Sequence, residues 1–215
     1  MGYPEPMKLL IKMIIVFSMS SCSLFGIQSE EGPRYKVLHK KGDFEIRRYE
    51  SYIVAKTTVQ GNYDDASEVA FKRLAGYIFG ENRSDKKLSM TSPVKVEKSL
   101  KIPMTSPVKL TKESGSYTMS FFMPSQYKKR ELPTPLNDKV KLEEVESKTI
   151  ASHRYTWLSS KERNDKKAKE LREWLKKLNM YEAQEGYTYA GYNPPWTIPF
   201  LRRNEVHIRV KQLRR

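Results

Sequence analysis

The chain has one cysteine, Cys22, and three histidines among 215 residues. A single thiol cannot build an intramolecular disulfide framework, a cysteine-based zinc site or a CxxCH cofactor attachment. Gly 10 and Pro 12 are too few for a collagen-like or Pro/Gly low-complexity chain. No apolar run approaches the ~20 residues that span a bilayer, which excludes a polytopic bundle of spanning helices. No GxSxG, HExxH or Walker-type segment occurs, and the acids Glu143, Glu144 and Glu146 form a charge run on an expected strand rather than a catalytic pair. Dedicated catalysis is therefore not expected. What is abundant is positive charge: Lys+Arg 40 against Asp+Glu 25, a formal +15. With 38% hydrophobic and 11% aromatic residues the chain can still build a core of one domain, or two at most. Such a charge admits nucleic acid, a membrane surface or an acidic ligand as partner.

The N-terminal stretch reads as an address. A basic segment from Met7 to Lys12 precedes the apolar run Met13–Phe17, and Met19-Ser20-Ser21-Cys22 follows. This is the order of a secretory signal, with either Met1 or Met7 as its start. Its end resembles a bacterial lipobox, with Met19 in place of the more usual Leu. The expectation is a signal over residues 1–22, with Cys22 the lipid attachment point of an exported protein on the periplasmic or outer-membrane side. An ordinary signal with an incidental cysteine is the alternative. Residues 23–33 lack periodicity and read as a flexible linker. Removing residues 1–22 takes away Lys8, Lys12 and Glu5 and leaves +14, so the excess charge belongs to the domain over 34–215. Export would make nucleic acid an unexpected partner.

Within 34–215 the elements repeat. Strands are expected at 35–38, 44–47 and 52–59, then a helix over 63–79 with Ala66, Val69, Ala70, Leu74, Tyr77 and Ile78 on one face and Gly80 closing it. The second half offers strands at 140–145 and 149–158, a charged helix over 161–178 with Ala168, Leu171, Leu175 and Leu178 at core spacing, and strands at 187–192 and 206–210. Glu50-Ser51 before Val54-Ala55 matches Glu146-Ser147 before Ile150-Ala151, which points to duplication. A sharper repeat lies between the helices, where Met90-Thr91-Ser92-Pro93-Val94 recurs as Met104-Thr105-Ser106-Pro107-Val108. Proline lacks the ladder N–H, so each copy is expected at a sheet edge, a bulge or a strand end. A further strand is expected at 117–123.

The doubled MTSPV segment, the FFMPSQY run at 121–127, the AGYNPPWTIPFLRRNEVHI run at 190–208 and the opening FEIRRY at 44–49 resemble the SOUL heme-binding family from about Tyr35 to Val210. The resemblance implies an α+β fold: a twisted antiparallel sheet or distorted β-barrel of two duplicated βαββ-like halves, with two helices packed outside. It also implies non-covalent binding of heme or a related tetrapyrrole in a shallow apolar cleft, flanked by the first helix and the loop before the last strand. The scaffold also suits a general binder of amphipathic small molecules.

A tetrapyrrole needs an apolar face, cations for its propionates and, optionally, an iron ligand. The positions that match the family pattern are Ala70, Arg73, Leu74 and Tyr77 on the helix, and Arg202 and Arg203 before the last strand. Core packing for Leu74 and Tyr77, and a solvated surface for the arginines, are the competing readings. Among candidate iron ligands, His153 shares phase with Tyr155 and Trp157 and is expected on a packed aromatic surface, while His39 sits in a basic turn. His207 is expected to point to solvent with Arg209, opposite Val206, Ile208 and Val210. Some relatives carry a histidine where this chain has Arg48. Met90 and Met104 could offer sulfur, though their repeat favours a structural role. The residues leave the metal ligand unknown.

Overall fold

Short β-branched and aromatic runs with period two build most of this molecule. The computed structural model describes residues 32–83, 102, 106–113, 115–193 and 196–213. Cys22, Met90, Met104 and the first MTSPV copy lie outside the described residues.

The chain opens with strands β1 (Tyr35–Lys41), β2 (Phe44–Tyr49) and β3 (Tyr52–Gln60), followed by helix α1 (Tyr63–Phe79). The carboxamide of Asn62 accepts from the Asp65 N–H at 2.9 Å, and Asp64 and Asp65 complement the positive end of the helix. Gly80, at φ 126°, ends it as expected. Two short strands, β4 (Asn82–Arg83) and β7 (Thr134–Pro135), pair with each other. Between them run β5 (Val108–Glu113) and β6 (Ser116–Phe122). Pro107 sits directly before β5, so the second MTSPV copy does end at a strand start. The second half supplies β8 (Lys141–Val145), β9 (Lys148–Tyr155), α2 (Lys161–Leu178), β10 (Tyr181–Ala183), β11 (Thr188–Gly191) and β12 (Asn204–Gln212). Ser160 caps α2 and Asn179, in the left-handed region at φ 49°, closes it. β9 stops three residues short of the expected Leu158, because Trp157 turns to φ 86° and carries the chain out of the sheet.

All strand pairs are antiparallel, in the order β1-β2-β9-β12-β11-β5-β6-β3-β8, with β10 on β12. The duplication now has a geometric form. Each half is a ββαββ unit, and its first strand pairs in the other half's sheet: β2 pairs β9, and β8 pairs β3. The halves join where β5 meets β11, with Val108 opposite Gly191 and Thr111 opposite Thr188. Exchanged edges and a shared central ladder make the halves one sheet.

Both helices pack on one face. Under α1, Ala66, Ala70, Leu74, Tyr77 and Ile78 meet Ala55, Leu110, Met119 and Phe121. Under α2, Ala168, Leu171 and Leu175 meet Ile46, Ala151, Val206 and Ile208. The opposite face is not open to water: the sheet curls, and Tyr49, Lys109, Ser152, Glu205 and His207 are buried there. This corrects the expected placement of His207. Strand alternation does put it opposite Val206 and Ile208, but the curled sheet closes over that side and leaves it 3% exposed.

Candidate ligand-binding cleft

The helices flank the β5–β11 seam, and a cavity of about 200 Å³ opens between them. Tyr63 of α1, Tyr117 of β6, Tyr189 of β11 and Tyr187 just before it give it an aromatic wall, with Leu110 of β5 beside them. Tyr63 and Tyr117 meet edge to face at 5.7 Å. The polar side is supplied by Lys112, and by Lys161, Asn164 and Asp165 in the first turns of α2. The Tyr187 hydroxyl donates to Asp165 Oδ1 at 2.6 Å, and Lys161 Nζ pairs with Oδ2 at 2.7 Å. Burial would raise the Asp165 pKa, but those partners outweigh it and hold the carboxyl below its usual range. Lys112 is exposed, and its charge helps hold the Asp165 carboxyl down across the cleft. Burial pushes the hydroxyls of Tyr63, Tyr187 and Tyr189 up, so they stay protonated at neutral pH and offer hydrogen bonds rather than phenolate charge.

The positions matched to the family pattern do not all reach this cleft. Ala70, Leu74 and Tyr77 are at most 1% exposed, on the sheet-facing side of α1, and the Tyr77 hydroxyl donates to Pro133 O at 2.9 Å. They form the floor that carries the helix. Arg73 is half-buried on α1. Arg202 donates from Nε to Thr197 O at 2.8 Å and is not among the residues that line the cleft. Arg203 turns to the other face of the sheet, over the Tyr192 ring at 4.0 Å and paired with Glu205 at 2.6 Å. His153 stacks on Phe44 at 4.2 Å, as its phase suggested, and His39 lies 5.9 Å from the Trp174 ring; neither lines the cleft. Among the described residues no cluster of three His, Cys, Asp or Glu side chains could hold a metal ion.

On the opposite face Glu205 is fully buried and accepts from many donors at once. Arg47 reaches it with Nη1 at 2.6 Å and Nη2 at 3.1 Å, Arg203 with Nε at 2.9 Å, Ser152 at 3.1 Å, Tyr192 at 2.8 Å and His207 Nε2 at 2.7 Å. Burial would raise the Glu205 pKa, yet its hydrogen bonds and neighbouring charges drive it well below the usual range. Burial pushes His207 down to about 4. His207 is therefore neutral at pH 7, where the charge that keeps Glu205 ionised is that of the two arginines. The carboxylate is thus fully engaged, and His207 Nδ1 is the one atom of this network that is buried without a hydrogen-bond partner among the described residues. A larger cavity of about 450 Å³ opens at the sheet's rim, lined by Tyr52, Phe122, Lys128, Lys129, Glu50 and Glu144.

A family model described as SOUL heme-binding protein matches residues 30–209. The chain belongs to the SOUL heme-binding protein family. Among its SOUL relatives, heme-binding protein 1 of Xenopus tropicalis is 31% identical over 194 residues, covering 89% of this chain and 97% of that protein. Human heme-binding protein 2 is 28% identical over 187 residues, covering 82% and 84%. Among solved structures, one described as a hydrolase from Listeria innocua superposes with a TM-score of 0.57 at 9% identity, covering 81% of this chain and 94% of that one. At that identity the likeness is one of fold alone.

The aromatic wall could not be found by matching positions within one helix, because its residues come from both halves. One signal was present: Tyr117 alternates with Met119 and Phe121, which puts all three on the helix side of β6.

Proposed function

We propose that this SOUL-family protein binds heme or a related tetrapyrrole, non-covalently and without catalysing a reaction, in the cleft between α1 and α2. The observation that carries the reading is the pairing of a four-tyrosine wall with an exposed lysine, Lys112, at the seam of the two halves. Flat aromatic faces suit a macrocycle, and an exposed ammonium suits a propionate. At about 200 Å³ the cavity is below the ~300–1,000 Å³ of pockets that enclose a ligand, so the disc would lie partly exposed. Protonated tyrosines favour hydrogen bonding over axial ligation of the iron.

The test is titration of hemin into the full-length protein beside an unrelated protein of similar charge. A saturable, red-shifted Soret band in the first and not in the second is the expected result. Equal or absent shifts would sink the reading. The cavity's small size and the Asp165 carboxylate support a second reading, a smaller amphipathic aromatic ligand, for which a non-tetrapyrrole compound would raise the melting temperature more than hemin does.

The protein acts, in this account, as an exported lipoprotein tethered through Cys22. The basic–apolar–small order of residues 7–22 supports that assignment. Cys22→Ser should then move it from the membrane fraction to the soluble one, and unchanged fractionation would refute the lipid tether.

A further inference from the structure

Beside the cleft the molecule leaves large apolar side chains in water. Trp157 is 50% exposed, Leu158 45%, Trp196 67% and Phe200 59%. They form one region, since the Trp157 N–H donates to Pro199 O at 2.9 Å and thereby ties the end of β9 to the loop before β12. Trp157 holds φ 86°, a conformation costly for a residue with a side chain. That backbone is fixed from the other side by Asn204, whose Nδ2 donates to Trp157 O at 2.7 Å. The same carboxamide accepts from the Tyr189 hydroxyl at 2.8 Å, so the exposed aromatics and the cleft wall share one residue. The fold thus spends backbone strain to hold an indole in water, one hydrogen-bonded residue away from the cleft wall.

From this geometry we infer that the Trp157–Phe200 region docks on an anionic lipid bilayer and sets the mouth of the cleft at its surface. Three observations favour a bilayer over a protein partner. Indole and phenyl rings partition to the membrane–water interface. The flank carries more cations than acids: Lys161, Arg163, Lys166 and Lys167 stand against Glu162 and Asp165 at the start of α2, and Arg163 donates to Leu158 O. Basic residues near an anionic surface add attraction. The third is where the chain leaves the fold. Gly32 and Pro33 share a cavity with Tyr192 and Arg203, and the Tyr192 N–H donates to Arg203 O at 3.2 Å, closing the base of the loop that carries Trp196 and Phe200. The described chain therefore begins beside that loop, at Gly32. An amphipathic ligand could then pass from lipid into the cleft without crossing water. Docking stands on the exposed aromatics; only the transfer step rests on the heme reading.

The experiment uses full-length protein on phosphatidylcholine–phosphatidylglycerol vesicles with brominated acyl chains. Bromine should quench the tryptophan emission, and Trp157→Phe with Trp196→Phe should abolish the quenching. The remaining Trp174 is packed against Phe44 at 5.3 Å and serves as internal control. An unquenched wild type, or quenching that survives in the double variant, overturns the docking. Trp196→Ser with Phe200→Ser replaces side chains that are more than half exposed, so the fold should persist. That variant should take up heme from loaded vesicles about tenfold more slowly while its affinity in water stays within about twofold. Equal loss in water would assign the aromatics to the heme site itself and overturn the transfer step. A wild type that takes up no heme from either source defeats the heme reading alone, with quenching still deciding the docking.

Discussion

The two faces of the sheet solve the same problem in opposite ways. On the helix face, burial is mainly apolar: Leu74, Leu171 and Ile208 are fully buried, with His153 buried beneath α2 and most other polar groups in the cleft, where Lys112 is exposed. On the other face burial is ionic, with Glu205 holding Arg47, Arg203, Ser152, Tyr192 and His207 together. Charge alone does not mark a binding site. The densest charge in the molecule is locked in its own hydrogen bonds, and the candidate site is where aromatic rings meet an exposed lysine.

The largest effect expected from this contrast is at Glu205. Replacing it with Leu strands Arg47 and Arg203 in a buried setting and should cost about 3–5 kcal/mol in urea denaturation. Asp165→Asn in the cleft breaks a partly exposed pair and should cost less than about 1 kcal/mol. Equal losses would erase the distinction between the faces. The network should also give acid sensitivity. His207 takes up a proton near pH 6.5 when unfolded but only near 4 when folded, so stability should fall as pH drops through that window.

Lys109 sharpens the comparison from within the ionic face. It is 8% exposed, among the rings of Tyr49, Tyr52 and Phe122 at 4.8–5.4 Å, with no carboxylate partner among the described residues. Burial, helped by the nearby Lys148 charge, pushes its amine down to about 7. Between pH 7 and the ordinary lysine value of 10.5 the unfolded chain binds the proton more strongly, so stability should rise with pH there. Lys109→Met should raise stability at pH 7 by about 1–3 kcal/mol and flatten that slope. A destabilised Met variant would mean that the amine contributes an interaction the aromatic cage does not account for.

The helices were legible because their signals are local: Asn62 and Ser160 cap them, and Leu74 or Leu171 repeats at helical spacing. The exchange of β2 and β8 between halves was not, since pairing partners lie about a hundred residues apart and nothing in a strand's own residues names its neighbour. His207 shows the same limit. Alternation gave its face of β12 but could not say that this face would be enclosed. The matched positions Ala70, Leu74 and Tyr77 do not line the cleft because a helix one layer above a sheet keeps its apolar stripe for the core, and its cleft-lining residues flank that stripe, as Tyr63 does.

The central claim is that heme is held in the cleft between the helices and not by general positive charge. It is tested most directly by hemin titration of two charge-matched double variants of the full-length protein. Lys112→Glu with Lys161→Glu reverses the cations of the cleft, and Lys128→Glu with Lys129→Glu makes the same charge change at the larger rim cavity. The first pair should weaken hemin binding by about tenfold or more, while the second leaves it within about twofold. Equal weakening by both pairs, or a loss only in the second, would contradict the account.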